Sequence, residues 1–172
     1  MAYIDIAITP QMLEFAGAVA DKVAVARTKA SSIDTMTGII GELAFAEWFL
    51  GDWQKHDILN TKGFPDFDGR IEIKTSTFPF SDRLNLLVRQ DYAAARQPEC
   101  YVQIIIDAPV RGPKAIEAGW VCRISGWATS ADVDAAPLRD FGNVWGGRGG
   151  YKCHHISISN LRDMDEFPIA RK

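Results

Sequence analysis

Asp66, Glu72 and Lys74 bring two carboxylates and an ammonium group into one short stretch, Gly63-Phe64-Pro65-Asp66-Phe67-Asp68-Gly69-Arg70-Ile71-Glu72-Ile73-Lys74-Thr75-Ser76. Two carboxylates converging beside a lysine suit a hard divalent cation: Mg²⁺ takes one or two carboxylates, keeps several waters and leaves positions open for a phosphate. The lysine suits hydrolysis, because it can hold the attacking water and offset charge developing on a phosphorane. Ile71, Ile73 and Thr75 alternate with Arg70, Glu72 and Lys74, the period of a strand, so Glu72 and Lys74 share a face.

Where Asp66 points depends on the turn. A two-residue loop at Asp68-Gly69 would pair Asp66 with Ile71 and send its carboxylate to the wrong face. A three-residue loop, Phe67-Asp68-Gly69, closed by glycine in the left-handed conformation, pairs Asp66 with Arg70 and is the expected form. Asp66 then joins Glu72 and Lys74 as a diagonal neighbour of Glu72, roughly 7–8 Å away between backbones. Read blandly, Asp66 and Asp68 are turn residues and Glu72 and Lys74 the wet face of an edge strand.

The elements around this hairpin must position it. Thr9-Pro10 caps a helix whose apolar residues, Met12, Leu13, Ala16, Val19, Ala20 and Val23, recur at helical spacing up to about Lys29. A second helix is expected from Ser31-Ser32 to about Leu50 and is apolar around most of its circumference, hence buried. Its Gly38, Gly41, Ala44 and Ala46 allow a close approach by a neighbouring element. Glu42 lies among those small residues, where a carboxylate needs a metal, a lysine or a shared water.

Pro65-Asp66 followed by Glu72-Ile73-Lys74 resembles the PD-(D/E)xK motif of the restriction-endonuclease-like nucleases, over about Ser31 to Asp107 within a domain core of about residues 31–125. The spacing between Asp66 and Glu72 is short for that family. The resemblance implies a metal-dependent nuclease acting on DNA: Asp66 and Glu72 bind Mg²⁺, with Mn²⁺ able to substitute, the Ile73 carbonyl adds a backbone ligand, Lys74 assists the water, and Glu42 stands where a helix glutamate often joins. It also implies a helix with a DNA-facing side at Arg89 and Gln90, and a homodimer if both strands are cut. Ser76 beside the lysine, and Arg148 and Lys152 in the glycine-rich Asn143 to Lys152 segment, are further candidates for nucleic-acid contact. The alternatives are a non-catalytic nucleic-acid-binding or assembly protein of the same fold, or a nuclease acting on RNA through the same residues.

Composition sets the frame. The chain has 172 residues, one domain's length, and a formal charge of −3, which argues against a basic nucleic-acid coat while leaving room for a local patch. No apolar run reaches membrane-spanning length, the N-terminus lacks the pattern of a signal peptide, and three widely spaced cysteines suggest no disulfide framework; a cytoplasmic protein with no membrane partner is expected. His56, and the Cys153-His154-His155 run, are weak candidates for acid–base or metal work. The apolar Leu84–Val88 stretch, a helix over Arg89–Arg96, strands at Tyr101–Asp107, Gly119–Ile124 and His154–Ile158, and a surface tail from Asn160 complete the reading. The expected fold is α/β: a restriction-endonuclease-like core with a small mixed β-sheet flanked by helices, and a β-rich C-terminal addition.

Overall fold

The computed structural model describes residues 2–24, 32–56, 58, 65–142 and 150–172. Two helices come first in the core. Helix α1, Pro10–Ala24, starts where Thr9 Oγ1 accepts the Met12 N–H at 3.2 Å, as its Thr-Pro start predicts; Arg27 and Lys29, expected in its last turn, lie outside the described residues. Helix α2, Ser32–Leu50, ends at Gly51, whose φ of 72° is the left-handed turn that glycine supplies without strain. Its Ile39, Ile40, Leu43, Phe45 and Phe49 are buried, as an all-round apolar helix must be.

The four-stranded sheet has the order β1-β5-β4-β2, built from β1 (Ile4–Ala7), β2 (Ile71–Phe78), β4 (Cys100–Asp107) and β5 (Val121–Thr129). It is mixed, since β2 and β4 run parallel while the other neighbours are antiparallel. Between β2 and β4 the chain crosses through β3 (Asn85–Arg89) and α3 (Gln90–Ala95), the long connection that a parallel pair requires. Helix α2 packs directly on one face and α1 packs on α2; Ile73, Val102, Ile104 and Ile124 fill that core. On the other face Tyr101, Ile105 and Ala128 meet Leu86, Val88 and Ile158.

Three features depart from the sequence-based expectation. The C-terminal strands are not an appendage: β7 (Lys152–Ser157) pairs with β3 and with β6 (Leu138–Asp140), making a second sheet that covers the first. The tail is not a surface segment either, because Leu161, Met164 and Ile169 are buried and Phe167 packs against Phe45, Trp48, Phe49 and Trp127. Strand β1 has no counterpart among the expected elements; four residues alternating half-buried and exposed give too short a period to stand out. Helix α4 (Ser130–Ala135) follows a Thr129 cap, with the full capping box to Asp132. Among the described residues no helix is long and apolar enough to cross a membrane, and the three cysteines are buried and free.

Candidate active site at the edge of the four-stranded sheet

The turn before β2 is a three-residue loop, shifted by one residue from the expected one. Phe67 pairs with Ile71, exchanging N–H···O bonds of 3.0 Å both ways, so the loop is Asp68-Gly69-Arg70 and not Phe67-Asp68-Gly69. Both Asp68 (φ 52°) and Gly69 (φ 65°) are left-handed, the conformation that the Asp-Gly pair tolerates best. The shift buries Phe67 against Phe45, with ring centroids 4.9 Å apart, which a Phe67 in the loop would forfeit. Because the register moves by two in the residue sum, Asp66 keeps its face: it falls opposite Glu72 and not opposite Arg70.

Beyond that single bridge the ladder stops, and the reason is chemical. Ile73, two residues after Ile71, turns its N–H and C=O toward the same edge. Pro65, its opposite number, has no N–H to give the Ile73 carbonyl. The Ile73 N–H instead donates to Asp66 Oδ2 at 2.7 Å. A side-chain carboxylate has thus replaced a strand.

Glu72 is buried, and two cations converge on one of its oxygens. Lys74 Nζ lies 2.9 Å and Arg96 Nη1 3.5 Å from Glu72 Oε1. Glu72 Oε2 is buried with no hydrogen-bond partner, a state that costs about 1–3 kcal/mol. Asp66 feels both its burial and the Glu72 charge, which push its carboxyl up to about 7, against the Ile73 N–H and the Lys74 and Arg96 charges that pull it down. The site therefore combines an unsatisfied carboxylate oxygen, a carboxyl that holds its proton to near neutrality, and two cations.

These donors fit a hard divalent cation. Glu72 Oε2, the Asp66 carboxylate and the Ile73 carbonyl are all oxygen ligands, and a cation would satisfy the orphaned oxygen while releasing the Asp66 proton. No group of three or more Asp, Glu, His or Cys side chains gathers for a metal among the described residues, so Glu42 does not join the pair in a three-acid cluster. Glu42 is half-buried on α2, next to Gly41, which sits so close to β2 that a Cβ there would lie 1.8 Å from Thr75 Oγ1.

The remaining expected residues distribute around a groove of about 600 Å³ that runs beside β2, bounded by the first turns of α2, the end of β3 and Tyr151. Lys74, Ser76 and Arg89 line it. Gln90 and Lys152 are exposed at the starts of α3 and β7, and Arg148 lies outside the described residues. His56 is remote from this site, its ring 4.6 Å from Phe15 on α1. His154 and His155, adjacent on β7, have distinct neighbours, the Ala136 carbonyl for one and the Phe141 ring for the other. The Phe78–Asp82 segment leaves β2 at the end away from the acids and packs Phe80 on Tyr3.

Arg96 was missed in the sequence, where it closed a helix without a stated role. The signal lay in topology: residues just before β4 return to the start of its parallel partner β2, where Glu72 sits. Arg70 and Glu99 clamp the same two strand starts at 2.6 Å. Compared with known proteins, the chain matches no family model, no curated protein and no solved structure.

Proposed function

We propose that this chain is a divalent-metal-dependent nuclease that hydrolyses phosphodiester bonds in DNA. The observation that carries the reading is the buried, partnerless Glu72 Oε2 beside Asp66 and Lys74, an arrangement that costs stability unless a cation completes it. The choice of DNA rests on the resemblance of Pro65-Asp66 and Glu72-Ile73-Lys74 to the PD-(D/E)xK pattern.

Asp66, Glu72 and the Ile73 carbonyl would hold Mg²⁺, with Mn²⁺ able to substitute; Glu42, outside that pair, would act through water. When bound, the metal supplies polarisation of the phosphodiester and charge to offset the phosphorane. Lys74 would orient the attacking water through its ammonium protons, and Glu72 Oε1, 2.9 Å away, fixes where that ammonium points. Arg96 stands beside the same oxygen and would meet a non-bridging phosphate oxygen through its remaining N–H groups. Without metal Asp66 holds its proton up to about pH 7, so a cation has to displace it below that, and the Mg²⁺ concentration needed for cleavage should fall as the pH rises through neutrality.

Supercoiled plasmid incubated with the purified protein and Mg²⁺ or Mn²⁺, beside an EDTA control and Lys74→Ala, tests the reading. Metal-dependent nicking lost in the variant is expected. Equal nicking by Lys74→Ala would remove the site from consideration, and no cleavage of DNA or RNA under either metal would remove the activity.

A further inference from the structure

Five large hydrophobic side chains are exposed among the described residues: Phe78 (37 %), Tyr92 (43 %), Val110, Leu138 and Tyr151 (37 %). The three aromatic ones all line the groove that contains Lys74. Wet aromatic rings gathered in one groove mark a binding surface, whereas single apolar side chains scattered elsewhere do not. Around them the lining is mixed: Ile33, Leu87 and Pro113 are apolar while Lys74, Ser76 and Arg89 are polar, which suits a ligand with flat apolar faces and a charged backbone.

The rings are organised around cations. The Arg89 guanidinium lies 4.9 Å from the centre of Tyr92 and 5.3 Å from that of Tyr151, while Arg96 lies 5.3 Å from Tyr92 on its way to Glu72. Arg89 is held beside both rings by two bonds to Asp91, 3.0 and 2.7 Å. The cations Lys74 and Arg89 come from the strands, and the acid of the opposite wall, Asp34, comes from α2. A chain of phosphates would therefore track the strand side.

We infer that this groove takes an unpaired nucleic-acid strand, whose bases stack on Phe78, Tyr92 and Tyr151 while its backbone passes Lys74 and Arg89 toward Glu72; the inference rests on the nuclease reading and names its substrate class. Base–aromatic stacking tolerates any sequence, because every base has a π-face. A duplex keeps its bases stacked on one another and offers these rings no faces. From Lys74 to Phe78 the strand rises roughly 13 Å, the length of about four nucleotides at the roughly 3.4 Å spacing of a stacked strand.

The test is fluorescence anisotropy with labelled oligo(dT) and a labelled duplex of equal length, in EDTA so that nothing is cut. Wild type is compared with Phe78→Leu, Tyr92→Leu, Tyr92→Phe and, outside the groove, Leu138→Ala, each checked for folding by circular dichroism. Single strand should bind at least about tenfold tighter than duplex, each leucine variant should weaken it by about 5- to 150-fold, and Tyr92→Phe and Leu138→Ala should bind like wild type. Duplex binding equal to or tighter than single-strand binding, or leucine variants that bind oligo(dT) unchanged, would overturn the inference. Plasmid nicking without single-strand preference sinks this inference alone and leaves the nuclease reading standing. Ring-dependent binding of oligo(dT) without metal-dependent cleavage of either substrate does the reverse.

Discussion

Two acid–base clusters flank the four-stranded sheet, and they treat their carboxylates in opposite ways. At the start of α4, Asp132 receives Arg162 through bonds of 2.9 and 3.0 Å and the Thr129 N–H at 2.9 Å, while its own N–H returns to Thr129 Oγ1 at 3.0 Å. Both oxygens are used, and the Arg162 bond leads the causes that hold the carboxyl down to about 2. At the start of β2, Lys74 and Arg96 crowd onto Glu72 Oε1, Oε2 has no partner, and Asp66 is pushed up to about 7, first by burial. The first cluster is complete as it stands and serves the fold. The second leaves Glu72 Oε2 unpaired; under the proposed reading a cation would complete it, and the fold would be giving up local stability to a site.

The largest expected effect separates the two. Asp66→Asn keeps an oxygen to accept the Ile73 N–H but removes a carboxylate from the proposed metal set, so under the nuclease reading cleavage should fall by about 10²-fold or more. The same change relieves a buried acid, so the metal-free protein at pH 8 should melt higher than wild type. Thr129→Ala should behave inversely, losing about 1 kcal/mol with the cap and leaving the plasmid-nicking rate at 25 °C intact. An Asp66→Asn protein that both cuts normally and melts lower would erase the contrast.

A smaller effect concerns the wall that presents β2 to the site. Gly41→Ala drives a Cβ to 1.8 Å from Thr75 Oγ1, so helix or strand must move; a loss of about 1–3 kcal/mol is expected, partly restored by Thr75→Ala. Gly38, one turn earlier, has nothing within 4 Å of where a methyl group would stand, and Gly38→Ala should stabilise by up to about 1 kcal/mol through helix propensity. Thermal melts of the three variants decide it. Equal shifts for the two glycines would mean that α2 and β2 approach each other less closely than the Gly41–Thr75 contact requires.

Much of this was legible in the chain, for identifiable reasons. The period-two alternation of Ile71 to Thr75 against Glu72 and Lys74 placed strand β2 and its polar face, and a buried α2 followed from apolar residues all round it. Asp66 came to the right face by a loop of the right length in the wrong register, because the sequence shows that Asp-Gly wants left-handed φ but not that Phe67 gains a partner in Phe45. What escaped the reading was non-local. The pairing of β3 with β7, the packing of half-buried Phe167 against four aromatic rings, and the approach of Arg96 to Glu72 all join residues far apart in sequence, where no local period carries a signal.

The smallest effect, and the one most specific to the contrast, is in the pH dependence of stability. Asp66 has a folded-state pKa near 7 against 3.8 for the free side chain, so its contribution is present below about pH 4 and lost as the pH rises through 7. Asp132 has a folded-state pKa near 2, so its contribution is present above about pH 4 and lost as the pH falls toward 2. In EDTA, wild type should lose at least the roughly 2–4 °C that one kcal/mol is worth in a chain of this size between pH 5 and pH 8, and Asp66→Asn should flatten that limb alone. Arg162→Ala should soften the acid limb alone, and less so in high salt, since the pair is partly exposed and screened. Millimolar Mg²⁺ should restore the pH 8 loss in wild type and leave the melting of Asp66→Asn unmoved, because a cation that binds only the deprotonated pair stabilises the fold by mass action. A wild-type melting curve without an alkaline limb, or one that Mg²⁺ leaves unmoved, would mean that Asp66 and Glu72 are not held in reserve for a cation.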